Sequence, residues 1–167
     1  MSRIHFLACA TCLACTVSCT RGDAADISSF PAAADTVEYF PNAALRETGD
    51  ALATGTTTAR VLLDRPGVQF VAARRVVNGI PEIHDDWADV AVVQAGRATL
   101  LTGGHVTGSQ LASRGEHRGG VIEGGVKRVV TEGDLFFVPP GVPHQYLLAP
   151  GDSIRYLTIK VPRAITR

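Results

Sequence analysis

The sequence predicts an all-β body, an antiparallel sandwich or barrel, preceded by one short helix. From Thr57 onward the chain is a series of β-branched and aromatic runs of strand length. The segments between them, "DRPG", "NGIP", "AGR", "EGD", "PPGVP" and "APGD", are built from residues that favour turns. No helical period interrupts the runs, which excludes the alternating strand–helix pattern of a parallel sheet.

The 167 residues allow one domain and a short appendage. The chain opens with "MSRIH", a short basic start. Phe6 to Val17 are then small or apolar, without a charge, Gly or Pro, before "CTRGDAAD" turns polar. This is the layout of a secretory signal, with an apolar segment too short to remain as a membrane anchor. All four cysteines lie between Cys9 and Cys19 with the spacing C-x2-C-x2-C-x3-C, which bacterial ferredoxins use to hold an iron–sulfur cluster. Here Thr20 stands where a Pro usually follows, there is no further cysteine, and the run lacks Gly and charged residues. The cysteines therefore read as small hydrophobic residues of a leader.

"TVSC", Thr16 to Cys19, resembles the lipobox of bacterial lipoproteins, with Thr16 where Leu is usual. Residues 1–18 are then a signal peptide and Cys19 is lipidated. Cleavage near "GDAAD" is the alternative. Both routes export the protein, to the periplasm or to a lipid anchor on the bacterial membrane, and both leave it without a cysteine pair. The 16 basic and 16 acidic side chains balance; losing Arg3 with the leader leaves 15 against 16, a net charge of −1. Neither form has the basic field that would draw nucleic acid or an anionic membrane surface.

Residues 19–36, rich in Ala, Asp and Ser, read as a flexible tether, and 37–167 as the folded domain. In "NAALRETGDALATG", Asn42 is the expected N-cap, Leu45 and Leu52 share a face, and Gly55 is the expected stop. The barrel core covers 57–161. Its runs are "TARVLL", "VQFVAARRVV", "DVAVVQA", "ATLLTG", "GVKRVV", "DLFFVP", "HQYLLA" and "IRYLTIKV". Gly103 to Gly125, glycine-rich and polar, reads as a long loop of the kind that binds ligands or acts as a lid.

Two histidines stand in turn-to-strand contexts: His84 in "GIPEIHDDWADV" and His144 in "GDLFFVPPGVPHQYLL". Glu82 and His84 are two apart on a strand and face one side. A hairpin turn near Trp87 would return Asp89 to that side. Two imidazoles and one or two carboxylates then converge, a ligand set that suits Fe(II) and accommodates Mn, Ni or Zn. Tyr146 shares the face of His144 and could line a ligand pocket, and Trp87 could cover its mouth. In "PPGVP" the prolines and Gly141 force the sharp turn that delivers His144.

"GDLFFVPPGVPH", Gly133 to His144, resembles the second motif of the cupin superfamily, G-x5-P-x-G-x2-H, with Leu148 where the motif closes on Asn. The first cupin motif, aligned from Gly96, puts Asp89 at its acidic position, His84 at its second His and Glu82 at its first. Gly79 lies three residues too close for the opening Gly, whose place Val76 takes. The chain looks most like small secreted bacterial single-domain cupins. The resemblance implies a cupin-type jelly-roll barrel, a divalent metal held by His84, His144, Glu82 and Asp89, a small-molecule partner and a possible homodimer. His105 and His117 match no ligand position.

Two functions from different classes fit. One is a metal-dependent oxygenase, isomerase or lyase acting on a small oxygenated compound. The other is a non-catalytic module that binds or senses a small ligand. Since neutral imidazole is the ligating form, metal affinity is expected to fall as pH drops through about 6.5.

Overall fold

The computed structural model describes residues 37–52 and 57–165. The chain divides into Met1–Glu38 and Tyr39–Arg167. The expected signal peptide, Cys19, the expected tether and Gly55 lie outside the described residues; of the first unit only its last two residues, 37 and 38, are described.

Helix α1 (Asn42–Ala51) forms where the sequence placed it, but Asn42 is its first residue rather than its cap. Pro41, extended at φ −62° and ψ 147°, takes the cap position; its fixed φ suits helix entry and its missing N–H leaves no donor to satisfy. The Asn42 side chain is used otherwise, accepting a hydrogen bond from Arg46 Nε at 3.1 Å. Gly49, unfavourable in a helix interior, is buried because the Arg155 side chain lies across it: a β-carbon there would stand 2.7 Å from Arg155 Cδ. Arg155 Nη1 donates to Asp50 Oδ1 at 2.6 Å, tying the helix to the sheet.

The strands are β1 (Thr57–Arg65), β2 (Val68–Arg75), β3 (Glu82–His84), β4 (Trp87–Thr102), β5 (His105–Thr107), β6 (Gln110–Ser113), β7 (Glu116–Arg118), β8 (Val121–Glu123), β9 (Val126–Thr131), β10 (Leu135–Val138), β11 (His144–Leu147) and β12 (Ile154–Pro162). Ten of them form one antiparallel sheet in the order β1-β2-β12-β4-β11-β3-β7-β6, with β9 and β10 also paired to β4; β5 and β8 form a separate ribbon. The sixteen-residue β4 organises the curl. Its first half pairs with β12 and β10, its second half with β11 and β9.

The "AGR" break expected within this stretch is no break. The chain runs straight through Gly96, and the register against β12 slips so that Tyr156 faces Val93 while Arg155 faces Ala95. Such a bulge bends the strand from one half of the sheet to the other. Gly96 sits at φ +76°, and a β-carbon would lie 2.0 Å from the Ser153 carbonyl oxygen, which accepts from Arg97 N at 2.9 Å. Gly96→Ala is therefore expected to destabilise the protein by at least about 2 kcal/mol, from left-handed strain and the clash together. Urea denaturation checks this, with Gly67→Ala as a control at equal φ sign but open surroundings.

The second difference lies in Gly103–Gly125. The polar excursion contains β5 to β8, because its glycines supply the tight turns that let short runs pair. Of these, β7 joins β3 and so becomes part of the barrel wall. Elsewhere alternation sets the core: on β12, Ile154, Tyr156 and Thr158 point inward, and on β2, Ala73 and Arg75 do. Ala73, Val93, Leu100, Tyr146, Ile154 and Tyr156 form the heart of the cluster.

Candidate metal centre

Register places the site. On β3, Glu82 and His84 alternate inward with Ile83 between them. Across from them on β7, Glu82 faces Arg118 and His84 faces Glu116. On the other side, β11 sets His144 opposite Glu82. The turn before β11 is held to β3 directly: Gly141, at φ +81°, donates its N–H to the His84 carbonyl at 2.8 Å. Asp89 comes from β4, in register with Lys160 of β12. The expected hairpin near Trp87 is absent. After the bend at Asp85–Asp86 the chain leaves β3, which bonds to β11 and β7 instead, and Asp89 reaches the site from the facing wall.

One ligand atom each from Glu82, His84 and His144 lies within 4.8 Å of the other two. Asp89 Oδ2 is 3.4 Å from His84 Nε2 and 3.7 Å from His144 Nε2, and Glu82 Oε2 is 3.8 Å from His84 Nε2. The rest of each side chain is occupied in a way that aims these atoms inward. His84 Nδ1 bonds Glu116 Oε2 at 2.6 Å and His144 Nδ1 bonds the Val142 carbonyl at 3.2 Å. A carboxylate and a carbonyl can only accept, so each Nδ1 carries the proton and each neutral ring offers Nε2 as its lone pair. Asp89 gives its other oxygen to Lys160 Nζ at 2.8 Å. Glu82 Oε1 receives Arg75 Nη2 at 3.2 Å and Arg118 Nη1 at 2.7 Å.

These residues fit a metal. The observation that tests the fit is His84 Nε2, which is buried and has no hydrogen-bond partner among the described residues. A buried polar atom left so is costly unless something binds it. Around it stand a second imidazole nitrogen, that of His144, two carboxylates and orienting partners of the kind that surround metal ligands.

Charge follows the same plan. Burial pulls the His84 pKa down, but the carboxylates of Asp89 and Glu116 outweigh it and raise it to about 9. Burial holds His144 below the usual histidine range. For Asp89 and Glu116 burial acts upward and is overcome by His84 and nearby cations, so both carboxyls stay below their usual range. Burial pushes Tyr156 up to about 12 and Tyr146 well above the usual phenol range, so both remain hydroxyl donors at neutral pH.

Tyr146 lines the cavity beside the ligand group, a space of about 210 Å³, and also stacks on Tyr156 with centroids 4.6 Å apart. Trp87 lines an adjoining cavity of about 310 Å³. His117 bonds Asp85 Oδ2 at 2.8 Å, and His105 is exposed, so neither joins the group. The sequence reading missed Arg75, Glu116, Arg118 and Lys160.

A family model described as the AraC-like ligand binding domain matches residues 78–166. That stretch holds every residue of the ligand group. The chain belongs to this family, within the cupin superfamily. No curated protein matches it. Among solved structures, an uncharacterized conserved protein with a double-stranded β-helix domain from Klebsiella pneumoniae is 15% identical with a TM-score of 0.52, covering 76% of this chain and 91% of that one. The polyketide cyclase RemF from Streptomyces resistomycificus is 21% identical, TM-score 0.46, covering 65% of this chain and 66% of that one. A cupin-2 domain protein from Rhodospirillum rubrum is 15% identical, TM-score 0.47, covering 64% and 60%. The chain thus spans about two thirds or less of the length of the last two. At such identities the likeness is one of fold, the cupin jelly roll.

Proposed function

We propose that this cupin barrel holds one divalent metal through Glu82, His84 and His144, with Asp89 beside them, and binds a small oxygen-bearing molecule in the adjoining cavity as an oxygenase, isomerase or lyase. The observation that carries the reading is His84 Nε2, buried, without a hydrogen-bond partner among the described residues, and faced by two carboxylate oxygens. A metal there supplies Lewis acidity toward a bound oxygen. The chain's own part is to bind, orient and exclude water. Glu116 and the Val142 carbonyl hold the proton on Nδ1 of each imidazole, Arg75 and Arg118 hold Glu82 in place, and Ala59, Val71 and Ala73 line the cavity with apolar side chains. Ligand types leave Fe, Mn, Ni and Zn open, since imidazole and carboxylate donors serve all four.

Metal analysis of untagged protein tests this, with about one transition-metal ion per chain expected. A barrel that takes up none ends the enzyme reading and leaves a ligand-binding module, which the description of the matching family favours as the second reading. The proposal includes export, with Cys19 lipidated, on the strength of the apolar run and "TVSC". Mass spectrometry of the mature N-terminus decides it; an unmodified chain starting near Ala24 or Ala25 would remove the lipid and keep the export. Pairing of two barrels also belongs to the proposal, with the exposed Leu135 and Phe137 on β10 as apolar surface, and sedimentation measures it.

A further inference from the structure

The two cavities meet at two side chains. Arg118 and Lys160 line both the inner space, with His144, Glu82 and Asp89, and the outer one, with Trp87, Gln69 and Ser113. The charged side chains lining the pair are three cations, Arg75, Arg118 and Lys160, and three carboxylates, Glu82, Asp89 and Glu116. They cancel. A divalent ion held by neutral imidazoles adds two positive charges to a set already balanced, in a place with little water. Unbalanced charge in such surroundings is costly, and an anion relieves it.

We propose that the ligand of this barrel is a small organic carboxylate whose anion sits between Arg118 and Lys160. This rests on the metal reading above and adds the chemical class of the ligand. Arg75 is not part of this clamp. Its side chain is 9% exposed, its guanidinium donates to the Tyr156 hydroxyl at 2.8 Å and to Glu82, and it lies over the Tyr146 ring at 5.3 Å, so it is built into the wall. Arg118 and Lys160 are different. Their side chains are 38% and 19% exposed. Arg118 brings five donors, with contacts to Glu82 at 2.7 Å and Glu116 at 3.3 Å; Lys160 brings three, with one contact to Asp89 at 2.8 Å. Both can accept a further carboxylate without leaving their partners. The planar fork of Arg118 suits a two-oxygen anion, and Lys160 acts as a point charge. The body of the ligand would lie on Ala59, Val71 and Ala73, whose small side chains leave the inner space open.

Trp87 is the single tryptophan of the chain and lines the outer cavity with Arg118 and Lys160, so its fluorescence reports binding without any assay of activity. The experiment titrates the full chain, loaded with Zn(II), with lactate and mandelate and with the neutral amides of each, measuring zinc content in the same samples. Each acid is expected to bind at least tenfold more tightly than its amide. Lys160→Gln should remove about tenfold of that preference, and Lys160→Arg should restore it. Amides binding as tightly as acids, or no response to either acid in zinc-loaded protein, would overturn the carboxylate and leave the metal standing. A chain that takes up no zinc would overturn the metal reading and this inference with it.

Discussion

A chain carrying His84→Ala and His144→Ala together is expected to purify without divalent metal, where the wild type carries about one ion. Each imidazole is the end of a chain of bonds that leaves only Nε2 for the ion: Glu116 holds one ring and the Val142 carbonyl the other. Removing both rings removes both nitrogen ligands and leaves only the carboxylates of Glu82 and Asp89, each with its other oxygen on a cation. Both histidines are buried, so the variants must first be shown to fold by circular dichroism. Single carboxylate variants rank the remaining ligands. Each carboxylate has one oxygen on a cation, but Glu82 shares a strand face with His84, stands opposite His144 and groups with both rings within 4.8 Å, whereas Asp89 comes from β4. Glu82→Gln is therefore expected to lower affinity more than Asp89→Asn, by on the order of 100-fold against 10-fold, the smaller figure being typical of an outer partner. The reverse ranking would make Asp89 the ligand. Equal metal content in wild type and the double histidine variant would end the metal proposal.

The residues that answer to local pattern were legible in the sequence. Strand runs show themselves through β-branched and aromatic content, and "PPGVPH" sets its own turn before His144. Glu82 and His84 follow from a spacing of two. What escaped depends on cross-strand register. Glu116 and Arg118 lie in a glycine-rich segment with no apolar run, and only pairing with β3 gives them a role. Arg75 and Lys160 follow buried residues at a spacing of two: Ala73 and then Arg75 at the end of β2, and Tyr156, Thr158 and then the half-buried Lys160 on β12. A cation on the inward phase of an otherwise apolar strand was the available signal. Asn42 misled because a good capping residue beside a proline had a second use for its side chain.

Metal-free protein is expected to lose stability as pH rises from about 6.5 to about 9, while protein with excess metal does not. His84 is the cause. Its ring faces Asp89 from β4, Glu116 from β7 and Glu82 on its own strand, with the His144 ring of β11 beside it and the Lys160 charge of β12 opposing. The carboxylates prevail and the folded pKa stands at about 9, raised from 6.5. Below about 6.5 both folded and unfolded chains hold this proton, and its stabilisation is fully present. Between the two values the folded chain holds a proton that the unfolded chain has released, so stability falls, at its steepest by about 1.4 kcal/mol per pH unit. His144, held below the usual range by burial, contributes a slope of the opposite sign, confined to the lower end of the window where the unfolded ring still holds part of a proton. Metal reverses the trend because it requires the neutral ring. Each ion bound must displace the His84 proton, so apparent affinity should rise about tenfold per pH unit across the window and level off near 9, with one proton released. The loss of affinity on acidification thus begins well above the 6.5 expected for an unperturbed histidine. Thermal denaturation with chelator and with excess metal, at intervals from pH 6 to 9.5, measures both curves. A gap between them that stays constant with pH would show that no displaced proton stands between His84 and the ion.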